Sequence, residues 1–382
     1  MDEIPAAARQ RTLLDHFSTI KDPREPAKVR YPLDEVLLLV VSATIAGCDD
    51  YDEIAAWGQS HLAFLRRLSE FHFGTPCEDW LRVVMNRIDP DLFQACFTAW
   101  ARDLCPEAAT VIAIDGKTSR RSHDRARAQR PLHLVSAWAT TERLVLAQEA
   151  VDDHQNECGA IPELLERLAL EGALVTIDAI ACNPQVAAQI TARKADYLLA
   201  VKANQPTLYG EVQAYFADPP AGETTTLVEL DKDHGRIETR RYILSHNVDW
   251  LSGDRRYPGE PRFAGLTSIA LVESEVEIRG ATTTTARRYY LSSAKLTPER
   301  LAHAVRGHWG IENGLHWVLD VVFREDQSRL RRGHGARNMA IVRHLALNLV
   351  RLGKGKRSIK TTRKVAGWDP NELARLLHPK PR

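Results

Sequence analysis

The sequence predicts an α/β fold, with a sheet-based core behind a small helical domain. Three observations carry that expectation. Residues 10 to about 105 show helical spacing without strand signals, residues 110–202 alternate short apolar runs with amphipathic stretches, and residues 222–293 are rich in Thr, Val, Ile and Tyr with strand-like alternation. The 382-residue chain is 44% hydrophobic and 26% charged, a globular mix with room for two or three domains. A disordered chain, a fibre and a small disulfide scaffold are excluded.

The elements follow in order. Pro32-Leu-Asp-Glu opens an apolar run to residue 47, residues 51–68 keep helical spacing, and Asp89-Pro90 starts a helix over 91–104. Residues 111–115 (VIAID) read as a short buried strand ending in an acid, and 132–139 and 144–151 as two more strands around a turn at 140–143. An amphipathic helix over 161–170, a second acid-ended strand at 173–178 (ALVTID), a helix over about 184–193 and a strand at 196–202 complete the series. This β-β-β-α-β-α-β order, a meander followed by right-handed crossovers, is that of a ribonuclease-H-like core. Alternation at 236–244 and 267–278 marks a β-rich insertion, and long helices over about 298–323 and 336–352 follow it. The expected boundaries are 1–108 for the helical domain, 109–218 for the first part of the core, 219–294 for the insertion, 295–353 for the helical completion and 354–382 for a basic tail.

No run reaches the roughly 18 apolar residues of a membrane span, and the N-terminus lacks an apolar signal core, so a cytoplasmic protein without membrane contact is expected. The six cysteines form no C-x-x-C pair and read as reduced thiols rather than a zinc site. Net charge is only +1, yet residues 327–382 hold 15 Lys/Arg against 2 Asp/Glu, a net of +13, which leaves −12 on the rest. A basic end on an acidic body points to a polyanion such as nucleic acid. A second basic cluster, Lys117 to Arg130, has six Lys/Arg against Asp124 alone.

Asp115 and Asp178 each end an apolar strand, and the carboxyl edge of an open α/β sheet is where ligands bind. On this topology the first and fourth strands are neighbours, so the two carboxylates converge, and converging hard oxygens favour Mg²⁺ or Mn²⁺. A third acid from a later helix would complete a site for two ions about 4 Å apart. Glu312 is the best candidate, with Asp320, Glu325 and Asp326 as rivals. His308, Glu312 and His316 share a helix face at i, i+4, i+8. A zinc site on those histidines is the alternative, although the H-E-x-x-H order is absent. Gly116-Lys-Thr-Ser119 resembles the end of a P-loop, but Val111 stands where that motif needs Gly, so no nucleotide cofactor is expected.

The strings AIDGK (113–117), VTIDA (175–179), YLLAVKANQ (197–205), HGRIETR (234–240) and HWGIENGLHWVLDVVFRED (308–326) resemble the H-repeat-associated, ISAs-type DDE transposases. KDPR (21–24), YPLDEVL (31–37) and RIDPDLF (87–93) are similar to that family's associated N-terminal domain. The resemblance spans nearly the whole chain. It implies a ribonuclease-H-like core with a β-rich insertion before the glutamate helix, and a catalytic, metal-binding triad on Asp115, Asp178 and Glu312. Related hairpin-forming transposases carry Tyr, Arg and Lys at set positions around the glutamate; here Val305, His308 and Leu319 occupy them.

The activity implied is metal-dependent strand cleavage at insertion-element ends, then strand transfer into target DNA, by a nucleoid-associated homodimer on double-stranded DNA. Lys117, Arg120, Arg121, Lys202, Asn204 and Arg306 are expected to position the DNA backbone. His308, Trp309, Asn313 and His316 flank the glutamate as further DNA contacts. Arg329, Arg331, Arg332 and the Lys354 to Lys364 stretch are expected to add salt-dependent affinity. The competing readings are a nuclease on the same fold that does not integrate, a DNA-binding relative without catalysis, and a zinc hydrolase.

Overall fold

The computed structural model describes residues 12–105, 109–124, 130–151, 157–233, 235–252, 263–278 and 281–379. Six helices lead: α1 (Leu13–Phe17), α2 (Leu33–Ala46), α3 (Tyr51–Ser60), α4 (Leu62–Leu65), α5 (Glu78–Met85) and α6 (Pro90–Leu104). Asp50 and Asp89 cap α3 and α6 by accepting from backbone N–H groups of the first turn. The apolar run after Pro32 is α2, a helix buried on all sides, and Gly47 at φ 109° ends it.

The core follows as β1 (Val111–Thr118), β2 (His133–Ala139), β3 (Leu144–Ala150), α7 (Glu157–Glu166), β4 (Leu174–Ile177), α8 (Pro184–Ala192), β5 (Asp196–Val201) and α9 (Pro206–Ala217). The insertion is β6 (Thr224–Asp233), β7 (Arg236–Ser245), the short α10 (Asp249–Ser252), β8 (Ser268–Ile278) and β9 (Ala281–Ser292). All nine strands form one sheet in the order β3-β2-β1-β4-β5-β9-β8-β7-β6. The first five have the ribonuclease-H-like order, with β1, β4 and β5 parallel and β2 antiparallel to β1. The insertion joins this sheet because β9 pairs antiparallel with β5, covering what would otherwise be an open edge.

The chain closes with α11 (Pro298–Ile311), a π-turn at Glu312–His316, α12 (Trp317–Val321), α13 (Gly335–Gly353), α14 (Ile359–Trp368) and α15 (Pro370–Leu377). The single helix expected over 298–323 is thus broken in phase by one π-turn. The N-terminal helices do not close a core alone: α2, α5 and α6 share theirs with α13, α14 and α15. Asn338 on α13 donates to the carbonyls of Met85 and Ile88 at 2.8 and 3.0 Å.

The stretch expected as a basic tail is folded. Leu373, Leu376 and Leu377 are buried, and Arg363 is buried with its guanidinium on the Thr44 and Val322 carbonyls and 4.1 Å from the Phe323 ring. Arg343 and Arg351 are buried as well. Part of the basic excess after residue 327 is therefore internal; apolar residues at helical spacing within the basic stretch are what draw it into the core. Among the described residues, no helix is long and apolar enough to cross a membrane.

Candidate active site

The β1–β4 register builds the site. Parallel pairing runs from Val111↔Leu174 to Ile114↔Ile177 and stops. Asp115 and Asp178 are the next residue of each chain segment, and both line the same cleft. β1 continues against β2, with Asp115 opposite Ser136, whereas β4 ends and Asp178 leads into a 3₁₀ turn, Ala179–Ala181. The strands up to this point are buried; their first charged residues emerge together.

Helix α11 lies over β1 and β4. Thr297 caps it, Pro298 starts it, and His308 anchors it with Nδ1 at 3.0 Å from Thr176 Oγ1. The π-turn then carries Glu312 and His316. His316 Nδ1 is 3.6 Å from Asp115 Oδ2 and 3.5 Å from Glu312 Oε2. Lys202 Nζ is 3.0 Å from Asp178 Oδ2. All three carboxylates line one cleft of about 180 Å³, together with Lys202, Arg288, Tyr290, His308 and Trp309.

Electrostatics follow from this crowding. Burial pushes Asp115 up to about 6, opposed by His316 and reinforced by the negative charges of Glu312 and Glu157. Glu312 is held below its ordinary range, first by the His316 hydrogen bond. Burial would raise Asp178, but the Ala179 N–H and Lys202 bring it down. His308 is lowered by burial. Among the described residues, Asp115, Glu312 and His316 form a cluster whose ligating atoms all lie within 4.8 Å of one another. Two carboxylates and an imidazole this close together, with Asp115 raised by burial, form a donor set a divalent cation can use, so the residues present fit such an ion.

Comparison with known sequences decides the family. Residues 106–349 match the family model described as "Transposase DDE domain", and residues 14–101 match the one described as "DDE_Tnp_1-associated". The chain belongs to the DDE transposase family. It is 36% identical over 374 residues to "H repeat-associated putative transposase YhhI" of Escherichia coli K12, covering 96% of this chain and 98% of that one. It is 37% identical over 362 residues to "Putative transposase YncI" of Escherichia coli O157:H7, covering 93% and 91%. The solved piggyBac transposase synaptic complex with hairpin DNA aligns with TM-score 0.46 and 11% identity over 96% of this chain and 76% of that one. The family resemblance carried by the sequence motifs is borne out.

In this DDE transposase the remaining expected residues separate into three groups. Lys202, His308, Trp309 and His316 sit at the acid cleft. Arg306 and Asn313 line an adjoining trough of about 610 Å³, which shares Arg288, Tyr290, Val305 and Trp309 with the cleft and adds Arg236 and Arg240. Arg306 meanwhile pairs with Asp231 and Glu229 at 3.2 and 3.5 Å. Arg120, Arg121, Arg329 and Arg332 are exposed, and Arg331 Nε donates to the Arg121 carbonyl at 3.1 Å, so the two basic segments meet. Of the Lys117 to Arg130 cluster, Arg125 and Arg127 lie outside the described residues.

Two of the expected DNA contacts have intramolecular partners. Asn204 spends its side-chain amide on the Ala179 carbonyl at 2.7 Å, and Gln205 on that of Cys182 at 3.0 Å; they brace the turn after Asp178. Lys117 is turned inward onto Asp320, Glu325 and Asp326, with 11% of its side chain exposed. The acids read as rivals of Glu312 are thus occupied by this lysine. The histidine pair of a zinc site is also split, since His308 bonds Thr176 while His316 faces two carboxylates.

Sequence reading missed Arg288, whose guanidinium lies 4.2 Å over the Trp309 ring at the junction of cleft and trough. Nothing in a Thr-rich strand marks it. Also missed was the packing behind Gly116, where an added Cβ would fall 2.6 Å from Glu157 Cδ and 2.9 Å from His133 Nε2. Glu157 and His133 are themselves paired at 2.7 Å.

Proposed function

We propose that this transposase cuts DNA strands at insertion-element ends and joins the freed 3′-hydroxyl to target DNA, with Asp115, Asp178 and Glu312 as its catalytic carboxylates and Mg²⁺ or Mn²⁺ as cofactor. The observation that carries this reading is the convergence, in one cleft, of three acids separated by 62 and 133 residues of chain. Two ions, when bound, would activate the attacking oxygen and stabilise the leaving one. The chain's own groups do the rest. Asp115 and Asp178 fix two oxygen donors on rigid strand ends, and Glu312 supplies the third from a helix locked to Thr176. His316 bridges Asp115 and Glu312 by facing both, and Lys202 neutralises Asp178 at the cleft mouth.

The trough beside the cleft would carry the DNA. Arg236, Arg240 and Arg288 offer backbone contacts, and half-exposed Trp309 offers a face on which a base can stack. Arg120, Arg121, Arg329 and Arg332 would extend the electrostatic footprint. Two element ends call for a homodimer acting on the nucleoid.

The test is cleavage and joining of element-end DNA with Mg²⁺, comparing the intact protein with Asp178→Asn. The expected result is cutting and joining by the intact protein and binding alone by the variant. Equal cutting by both would overturn the triad. Cutting without joined product would leave a nuclease, and binding without cutting by either a DNA-binding relative.

A further inference from the structure

We propose that Lys117 is a positioning residue of the acid cleft and not a DNA contact: its ammonium clamps β1 to the glutamate-bearing helix and sets the separation of Asp115 from Glu312. The proposal rests on the triad reading above. Lys117 stands two residues beyond Asp115 on the same face of β1, and Asp320 stands four residues beyond His316 on the helix. Two strand residues advance about 6.7 Å and four helix residues about 6 Å, so strand and helix meet at two matched rungs. The first rung is Asp115 to His316 at 3.6 Å; the second is Lys117 to Asp320 at 2.7 Å.

A second anchor lies deeper. Lys117 Nζ is 3.2 Å from Glu325 Oε2, and Glu325 Oε1 is 3.6 Å from Arg343 Nη1. Glu325 and Arg343 are only 3% and 5% exposed. The ammonium therefore ties together β1, the end of the glutamate helix and, through Glu325, the core helix α13. Asp326 adds a longer contact at 3.9 Å and reaches Arg120 at 3.5 Å. Desolvating such charges gains little stability over an apolar cluster, but it permits only one register. A methyl-for-ammonium exchange would keep the volume and lose the register. With three carboxylates around it and little surface, the ammonium is poorly placed to reach a phosphate.

The experiment compares Lys117→Met, Lys117→Arg, Asp320→Asn and the Lys117→Met/Asp320→Asn double variant with the intact full chain. Three quantities are read: cleavage kcat and KM for element-end DNA, the slope of log affinity against log salt, and direct Mn²⁺ binding without DNA. Lys117→Met should lower kcat by about 10–100-fold, the loss expected for an ångström-scale misplacement, with KM and the salt slope unchanged and Mn²⁺ binding weakened. Lys117→Arg should recover most of the rate. Asp320→Asn should lose rate in the same direction, and the double variant should fall no further than Lys117→Met.

The idea is overturned if Lys117→Met reduces the salt slope by about one while kcat holds, the signature of a phosphate contact. It is overturned equally if Asp320→Asn tightens DNA binding and keeps its rate, as freeing a phosphate-binding lysine would. Asp320→Asn, at a residue one-third exposed, gives this answer even if Lys117→Met does not fold. If the intact chain neither binds Mn²⁺ nor cuts, the triad reading itself fails and this proposal falls with it.

Discussion

The two halves of the nine-stranded sheet are built on different terms. In the ribonuclease-H-like half, β1 as far as Ile114, all of β4, and β5 after Asp196 are buried runs of mainly apolar residues, as parallel strands between helices must be. In the insertion half, β7 and β8 are buried where they approach the core, at Tyr242–Ser245 and Ile269–Val272, and more exposed toward their tips. Val228, Leu230 and Ile278 there are 55%, 58% and 46% exposed. A buried apolar run has no place for an unpaired charge, so Asp115 and Asp178 appear where the β1–β4 pairing stops, on backbone fixed by the strands. A half-solvated strand displays arginines along its length without such constraint. One half fixes a constellation; the other offers a surface.

The comparison is sharpest in the chemistry. Asp115→Asn removes a donor from the rigid half and should lower cleavage by roughly 10³-fold or more, equivalent to the several kcal/mol attributed to metal-assisted charge stabilisation, with DNA binding retained. A rate within tenfold of the intact protein would show that the strand-end acids are ordinary termini.

Stability should divide the same way. Ile177→Ala, at the last paired residue before Asp178, should cost about 2–5 kcal/mol in denaturant unfolding, whereas Val228→Thr on β6 should stay within about 0.5 kcal/mol. Similar losses at both sites would mean that the insertion is packed as tightly as the core.

A third effect belongs to α13, which supports the core half through Asn348, bonded to the Val145 backbone at 3.0 and 2.8 Å. On that helix His344 is buried and its proton affinity falls to about 4, because burial penalises the imidazolium more than Glu325 favours it. A histidine lowered on folding contributes stability that is complete above its unfolded value near 6.5 and is lost as pH falls toward 4. The intact protein should therefore lose up to about 1.4 kcal/mol per pH unit through this window relative to His344→Gln, measured as the difference in unfolding free energy between pH 7 and pH 5. A difference that does not change with pH would place the imidazolium in a better-solvated site.

The smallest effect should fall in the insertion. Arg288→Ala should weaken DNA binding modestly and reduce the salt slope by about one, leaving Mn²⁺ binding intact. A loss of Mn²⁺ binding instead would make Arg288 part of the acid cleft's architecture rather than its DNA surface.

Much of this was legible in the residues because it rests on local, periodic signals. The acid-ended strands VIAID and LVTID, the Asp89-Pro90 helix start, the helix from about residue 184 and the strand order of the core follow from short-range patterns, and the structure reproduces them within a few residues. Asp115 and Asp178 could be paired from sequence alone, since each ends an apolar run and the first and fourth strands of this topology are neighbours. The π-turn at Glu312–His316 was not legible: Gly314 fits there against Trp138, where an added Cβ would lie 3.0 Å away, and Arg351 donates to the Gly314 carbonyl. The C-terminal helices were hidden for a related reason, because basic residues dominate their composition and only the core identifies Leu373, Leu376 and Leu377 as its lid.

The sequence by itself determined the family, the order of strands and the two aspartates, because hydrophobic period and strand ends are written in consecutive residues. Tertiary structure alone decided which cations stay at the surface and which are spent inside. Lys117, Arg343, Arg351 and Arg363 differ from their exposed neighbours in nothing but the partners that folding brings to them, and a charge's role is set by its partners and its distance from water.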